Sequence, residues 1–238
     1  MNGYIQNAGI FQYQYSYFLF MLPCFIISII CSVTVKSRFS KYSKVMNSRG
    51  LTGAQAAQQV LLAHGVTGVR IEAVRGDLTD HFDPRTNVIR LSESVCNARS
   101  VAAVGVACHE AGHAVQHAEG YVPNKLRSAI LPAANIGSRL SWIVLIVGMM
   151  LPVQYNFVIT IGIVLYSAAV LFTLITLPVE FNASSRALAT IRSTGMLSTE
   201  EYQGAKKVLT AAAMTYVAAA ATSIMQLFRL LLILNRRR

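Results

Sequence analysis

Charged residues are scarce in this sequence, and their scarcity excludes an ordinary soluble domain. Only 13% of the 238 residues are Asp, Glu, Lys or Arg, whereas 54% are hydrophobic. Soluble domains carry about 25% charged residues. Together with a mean hydropathy of +0.47, the composition indicates a protein of the cell membrane, with the lipid bilayer as one of its partners.

Disulfide frameworks and acidic residues are also lacking. The cysteines follow neither a disulfide nor a zinc-finger spacing, so no disulfide framework is expected; they are Cys24, Cys31, Cys96 and Cys108. Asp and Glu number only 10 against 21 Lys and Arg, which gives a net charge of +11. Because the basic residues cluster beside apolar segments, they are typical of juxtamembrane charge. Nucleic acid is therefore not an expected partner.

Three runs with little or no charge are long enough to span a bilayer, which takes about 20 residues. Residues 17–35 lack the basic start and the cleavage site of a signal peptide, so they predict a retained anchor. Five basic residues follow within 36–49, which by the positive-inside rule places the N-terminus outside. Residues 128–152 and 157–179 predict a hairpin that returns to the cytoplasm. The apolar run at 208–234 leaves open whether a further segment crosses.

The chain thus divides into four predicted regions. They are an N-terminal region with the anchor at 1–35, a cytoplasmic-side catalytic region at 36–127, a transmembrane hairpin at 128–179, and a final region at 180–238 that holds a helix with the third metal ligand and the C-terminal apolar segment. The second region has a soluble character and predicts a small α/β element. Its patterns predict a helix at 52–64 with a Thr52–Gln55 capping box, a strand at 68–74, an edge strand at 88–92 and one long helix at 94–119.

The segment VACHEAGHAVQH at 106–117 contains the pattern H-E-x-x-H as His109, Glu110 and His113. On a helix, residues four apart differ by about 40° of rotation, so both imidazoles point to one side and can bind one Zn²⁺. Glu110 is then placed to act as a general base toward water at the metal. The alternative is that these are ordinary polar residues of an amphipathic helix. The small apolar flanks predict burial, however, where an unpaired polar group is costly.

A catalytic zinc usually has three protein ligands and a water. His117 lies about 12 Å along the helix from His109, too far to share the ion. Glu180 is the favoured third ligand, because an acid directly after a long apolar run needs a partner; the alternative is that it pairs with Arg186. The residues predicted to orient a ligand from behind or to contact substrate are Asn182, Ser184, Arg186, His81 and His117.

Four ordered blocks carry a resemblance to a known family. They are DHFDPRTNVIRLS (80–92), VACHEAGHAVQH (106–117), LPVEFNASSRAL (177–188) and AAAMTYVAAA (211–220). Through them the sequence resembles the bacterial membrane-bound neutral zinc metallopeptidase family from about residue 50 onward. The resemblance implies an integral-membrane zinc peptidase with His109 and His113 as ligands and Glu110 as general base.

The layout is also similar to the wider group of membrane metalloproteases that includes the CAAX-prenyl endopeptidases. In that group the H-E-x-x-H helix and a pair of spans precede an E-x-x-A-D pattern. Glu180 and Ala183 match that pattern, whereas Ser184 replaces its aspartate. The closer family's usual tyrosine before Asp83 is Phe82 here.

Two further features are candidates for substrate binding. As an edge strand, residues 87–91 could pair with an extended peptide through backbone hydrogen bonds, although a purely structural strand is the alternative; its residues are Asn87, Val88, Ile89, Arg90 and Leu91. His81 could stabilise the oxyanion of a tetrahedral intermediate, or it could bond to Asp80 or Asp83 in a turn.

The sequence therefore predicts a mainly α fold of polytopic membrane helices, with a small α/β element ahead of a gluzincin-like site that holds one Zn²⁺. The predicted function is hydrolysis of peptide bonds in peptide or membrane-protein substrates near the cytoplasmic face. The alternative is a non-catalytic membrane scaffold or assembly subunit whose structural zinc has four protein ligands, the fourth from a residue such as His117 or Asp83. No feature of the sequence identifies a regulatory partner or an oligomeric state.

Overall fold

The protein is mainly helical, which confirms the predicted fold class. The computed structural model describes residues 2–77 and 79–237, and over 2–17 the backbone alone. Its elements, in chain order, are α1 Asn2–Tyr42, α2 Gly53–Ala63, β1 Arg70–Val74, β2 His81–Asp83, β3 Val88–Ser92, α3 Glu93–Cys96, α4 Val101–Ala118, α5 Val122–Met150, a 3₁₀ turn Val153–Tyr155, α6 Asn156–Ser193 and α7 Thr199–Arg236.

Four helices are long and apolar enough to cross a membrane, namely α1 from Phe18, α5, α6 and α7. Their apolar side chains face outward to a large extent; Phe25 and Ile143, for example, are 62% and 61% exposed. Apolar surface of this extent is costly in water and favourable in lipid. The chain is therefore a membrane protein, as its composition indicates.

The described chain forms two compact units. One contains the chain up to Ile30, Leu126–Thr176 and the chain from Tyr216, and the other contains Cys31–Lys125 and Leu177–Thr215. The second unit holds the sheet, α2 to α4, the last part of α6 and the first part of α7. Its core is built from small and β-branched side chains of α2, β3 and α4 together with residues of α6 and α7.

The predicted edge strand is the central strand of its sheet. The strand order is β1-β3-β2, with β3 parallel to β1 and antiparallel to β2. Val88, Ile89 and Leu91 are fully buried, so both faces of β3 are covered. The short length of the strand therefore did not indicate an edge position. The premise that Asn87, Val88, Ile89, Arg90 and Leu91 form a free edge for a substrate is therefore wrong, because β1 pairs with Val88–Ser92 and β2 pairs with residues 88–90. Asn87 itself lies in the turn before β3, with φ 54°.

The single helix predicted from Ser94 to Glu119 is also interrupted. It consists of α3 and α4, and Ser100 caps α4 by accepting a hydrogen bond from the backbone N–H of Ala103. The carbonyls of Ala98 and Arg99 accept from the backbone N–H groups of Gly53 and Asn47. Since these carbonyls bond to residues that are distant in the sequence, they cannot continue a helix.

The capping box that predicted the start of α2 is confirmed. The side chain of Thr52 accepts from the backbone N–H of Gln55, and the Gln55 side chain accepts from the backbone N–H of Thr52. The helix ends at His64, after which Gly65 has φ 64°. A reciprocal cap and a left-handed glycine are strong local determinants, so this helix follows from the sequence alone.

The end of α7 lies beside the connection between α5 and α6. The Arg237 guanidinium donates to the carbonyl oxygens of Gly148 and Leu151 at 3.0 and 2.7 Å, and the amide of Asn156 donates to the Arg237 carbonyl at 2.8 Å. The last carbonyls of a helix lack partners within it, and a cation is favourable there. This basic residue thus completes the end of α5.

Candidate metal centre

His109 and His113 share one face of α4. Their ring centroids are 4.7 Å apart and the rings are nearly perpendicular. Their side chains are only 14% and 12% exposed, and the residues around them on α4 are small and buried. Two imidazoles one helical turn apart are thus held together in a largely water-free place, as the spacing predicted.

Helix α6 brings Glu180 to the two histidines. The Glu180 side chain is 2% exposed, and its Oε2 lies 3.4 Å from His109 Nε2 and 3.5 Å from His113 Nε2. Two ligands bound tetrahedrally to zinc at roughly 2.1 Å are about 3.4 Å apart. All three ligand atoms lie within 4.8 Å of one another, and they form the group of described residues that could hold a metal ion. The separations and the donor chemistry therefore fit Zn²⁺.

Close contact between α4 and α6 depends on a glycine inside the H-E-x-x-H segment. A Cβ on Gly112 would lie 2.7 Å from the Ala183 carbonyl oxygen and 3.3 Å from the Ala183 Cα. Backbone atoms cannot move aside as the end of a flexible side chain can. Gly112 therefore sets how near Glu180, three residues before Ala183 on α6, can come to the histidines.

Replacing Gly112 by Ala is expected to destabilise the protein and to weaken metal binding. Overpacking against backbone costs about 1–3 kcal/mol, which outweighs the helix propensity of Ala. Gly105→Ala, on the same helix, is the matched control, because its Cβ would lie 3.4 Å from the Ala205 Cβ, an ordinary contact. In thermal unfolding, the Tm of Gly112→Ala should be at least about 2 °C below that of Gly105→Ala. Equal Tm values and equal zinc affinities would show that this glycine does not control the helix separation.

Each histidine makes a polar contact through its other ring nitrogen. Ser184 Oγ lies 3.0 Å from His109 Nδ1, and Gln116 Oε1 lies 3.0 Å from His113 Nδ1. Both contacts leave Nε2 directed at Glu180. Ser184 therefore contacts a candidate ligand as expected, whereas sequence reasoning missed Gln116. Its position three residues after His113, on the same helical face, was the available signal.

The predicted residues Asn182 and Arg186 belong to a polar network that begins at Gln116. The Gln116 amide donates to Asn182 Oδ1 at 2.9 Å, and Arg186 Nε donates to the same oxygen at 2.7 Å. Arg186 Nη1 also donates to Glu119 Oε2 at 2.6 Å, and Glu119 Oε1 lies 3.7 Å from His64. Glu180 lies against the histidines, so the alternative in which its role is to pair with Arg186 is not what the structure shows.

Acidic groups surround His113. Burial by itself lowers the pKa of an imidazole, but hydrogen bonding to Glu180 and the negative charges of Glu110 and Glu180 outweigh burial and raise the pKa of His113. Glu110 is itself only 8% exposed. The centre therefore favours a cation, and a metal ion held there would compete with a proton. Because a ligating histidine is neutral, metal affinity falls as the pH drops through this raised pKa.

Other nearby candidates lie outside the group. The exposed His117 ring packs against Phe82, with centroids 5.7 Å apart. His81 is exposed, and its Nδ1 lies 2.8 Å from the Thr79 carbonyl, to which it donates; the turn contact predicted with Asp80 or Asp83 is thus replaced by a backbone one. Burial raises the pKa of the Cys108 thiol, which makes it a poor metal ligand.

A cavity of about 650 Å³ lies between α6 and α7 within the second unit. Apolar side chains dominate its walls, among them Phe181, Leu188 and Leu209. Ser184 also lines this cavity while its hydroxyl contacts His109. The cavity therefore adjoins the residues that surround the candidate metal ligands.

Comparisons with known proteins agree with this chemistry. Residues 17–235 match the family described as "Putative neutral zinc metallopeptidase". The chain is also 52% identical over 204 residues to "Putative membrane protease YugP" of Bacillus subtilis (strain 168), an alignment that covers 85% of this chain and 90% of that protein. No solved structure matches the chain.

Proposed function

The chain belongs to the neutral zinc metallopeptidase family, and on that premise we propose that it is a membrane-bound hydrolase that cleaves peptide bonds. The observation that carries the proposal is the convergence of two imidazole nitrogens and one carboxylate oxygen at 3.4–3.5 Å in a buried place. The buried carboxylate of Glu110 adjoins this group on α4. Such a donor set with an additional acid suits catalysis better than storage of the metal.

Each residue has a defined part in the proposed reaction. His109, His113 and Glu180 would hold one Zn²⁺, which when bound would supply Lewis-acid polarisation of the scissile carbonyl and activation of a water molecule. Glu110 accepts the proton of the attacking water and delivers it to the leaving amine. Glu110 can carry that proton because it adjoins His109 in sequence yet is not one of the three converging groups.

The alternative, a scaffold with a structural zinc, has less support. A structural zinc site has four protein ligands, and the group in the described residues contains three. Asp83, one suggested fourth ligand, is engaged at 2.8 Å by Arg90, and the other, His117, packs on Phe82. The open coordination place suits water and substrate.

We further propose that the centre faces the cytoplasm. Nine basic residues that follow or flank the predicted spans belong to the same unit as the candidate ligands; they are Lys36, Arg38, Lys41, Lys44, Arg49, Arg186, Arg192, Lys206 and Lys207. Such charge marks the cytoplasmic side. With α7 as a fourth span, both chain termini lie outside, where Arg237 bonds to the end of α5.

A centre at this place suits peptides or membrane-protein segments as substrates. We assign their apolar side chains to the cavity beside Ser184, whose walls are mainly apolar. A substrate that extends the sheet would pair with one of its two outer strands, β1 or β2, because β3 is central. Of these two strands, β2 contacts the H-E-x-x-H helix α4 through Phe82 and His117, so we assign the substrate to the edge of β2.

Removal of the metal tests the proposal. The purified full-length protein is expected to contain about one zinc per chain and to cleave apolar, unstructured peptides. Treatment with a chelator should abolish cleavage, and added Zn²⁺ should restore it, because the ion supplies the electrophile. Elemental analysis and mass spectrometry of the peptides provide the two measurements. A folded, zinc-loaded protein that cleaves none of a broad peptide library would favour the scaffold.

A further inference from the structure

Gln116 is a fully buried polar residue with no role in the reaction as described above. Its side chain has 0% exposure, and all of its amide contacts are to the centre or to α6. Its Nε2 donates to the Val179 carbonyl at 2.8 Å and to Asn182 Oδ1 at 2.9 Å, and its Oε1 contacts His113 Nδ1 at 3.0 Å. Burying an amide costs free energy unless every group is bonded, so this arrangement needs a reason.

The chemistry of its partners fixes the orientation of the Gln116 amide. A backbone carbonyl can only accept, so the atom facing the Val179 carbonyl must be the nitrogen. The second contact agrees, because the Arg186 guanidinium can only donate, and its Nε bonds to Asn182 Oδ1. Asn182 therefore presents its oxygen, and the Gln116 nitrogen donates to that oxygen as well. The amide oxygen is left for His113.

The orientation of the amide in turn fixes the state of His113. An amide oxygen can only accept, so His113 Nδ1 must carry a hydrogen and donate it. A neutral histidine has one such hydrogen, which leaves the lone pair on Nε2. That nitrogen lies 3.5 Å from Glu180 Oε2, where the metal belongs.

The partner of His109 cannot impose the same constraint. Ser184 Oγ lies 3.0 Å from His109 Nδ1, but a hydroxyl rotates and can either donate or accept. Among the described contacts of the two histidines, the contact that fixes which ring nitrogen carries the hydrogen is therefore that of His113 with Gln116. Arg186 also donates to Glu119 at 2.6 Å. The series of hydrogen bonds that starts at His113 therefore ends in an ion pair.

We propose that Gln116 is a positioning residue that keeps the hydrogen of His113 on Nδ1 and so presents its Nε2 lone pair to the zinc. The proposal rests on the proposed zinc centre. It makes the ligand role of His113 depend on Gln116, a residue of α4 that is not itself one of the three candidate ligands. Outer partners of this kind typically change metal affinity by 10–100-fold.

Substitution of Gln116 by Met and by Glu tests the role. Gln116→Met has a similar shape but no acceptor, and it should weaken zinc binding 10–100-fold in a chelator competition assay. Gln116→Glu retains an oxygen acceptor for His113 Nδ1 and should bind zinc at least about tenfold more tightly than Gln116→Met. With Co²⁺ in place of zinc, the visible absorption of Gln116→Met should change shape, whereas that of Gln116→Glu should resemble the wild type.

Gln226→Met is the matched control. Gln226 is 4% exposed and lies in the other unit, on α7, so the same chemical change there should leave zinc affinity within about twofold of the wild type.

Asn182→Leu, at a half-buried position, tests the hydrogen bonds that orient the Gln116 amide if Gln116→Met does not fold. It removes the oxygen that takes the Gln116 amide and should weaken zinc binding at least threefold.

The outcomes separate this inference from the zinc centre itself. A folded Gln116→Met with wild-type zinc affinity, or a Gln226→Met that loses as much affinity, overturns the positioning role while the zinc centre stands. Gln116→Glu that binds zinc no better than Gln116→Met also overturns it, because a purely structural role would not distinguish the two. A wild-type protein that binds no zinc would overturn both proposals.

Discussion

Glu110→Gln is expected to retain its zinc and to lose peptide hydrolysis. Glu110 is not part of the group formed by His109, His113 and Glu180, so the ligands remain. A glutamine cannot take a proton from water, and general acid–base catalysis contributes about 10²–10⁴-fold to rates. The value of kcat should therefore fall by about that factor, with one zinc per chain still measured by elemental analysis.

Glu93→Gln is the control for this substitution. Glu93 is exposed on α3, and the same change of carboxylate to amide there should leave kcat and zinc content unaltered. If zinc-loaded Glu110→Gln cleaved peptides at the wild-type rate, the assignment of the base would be wrong. Loss of zinc from Glu110→Gln would mean that this acid supports the centre itself.

Glu180→Ala is expected to remove the metal. Glu180 is the one member of the group that comes from outside α4, and its carboxylate lies 3.4–3.5 Å from both histidine nitrogens. Without it, two imidazoles on one helix remain, fewer than the three protein ligands usual for a catalytic zinc. Zinc affinity should fall by more than the 10–100-fold typical of outer partners, and hydrolysis should fall with it. Chelator competition measures the affinity.

Glu200→Ala serves as the control for the loss of an acid. Glu200 is exposed in the first turn of α7, and its variant should bind zinc like the wild type. Wild-type zinc affinity in Glu180→Ala would place the third ligand elsewhere and would end the proposed centre. The two variants should differ, because loss of Glu110 should remove hydrolysis alone, whereas loss of Glu180 should remove zinc binding as well.

The sequence by itself determined the features that depend on neighbouring residues. Capping of α2 by Thr52 and Gln55 follows from their spacing, and so does the shared face of His109 and His113. Residues 17–35 and the hairpin at 128–179 correspond to helices that can cross a bilayer. These patterns have the period of a helix or the length of a span, and both are local properties. The resemblance to the zinc metallopeptidase family is likewise confirmed.

Only the tertiary structure decided which distant groups meet. Strand β3 looked like an edge strand because it is short, yet pairing with β1 and β2 places it in the centre. The break before α4 arises because Ala98 and Arg99 bond to residues about 50 positions earlier. Such partners are invisible in a local pattern, since hydrogen-bonding groups are satisfied wherever the fold provides them.

The candidate metal centre likewise depends on residues that are distant in the sequence. Spacing along α4 predicted two ligands, but the position of Glu180 depends on how closely α6 approaches Gly112. The bond from Gln116 to His113 depends in turn on carbonyl and amide groups of α6. Helical periodicity defines which side chains share a face, whereas the distance between two helices is set by packing of their surfaces.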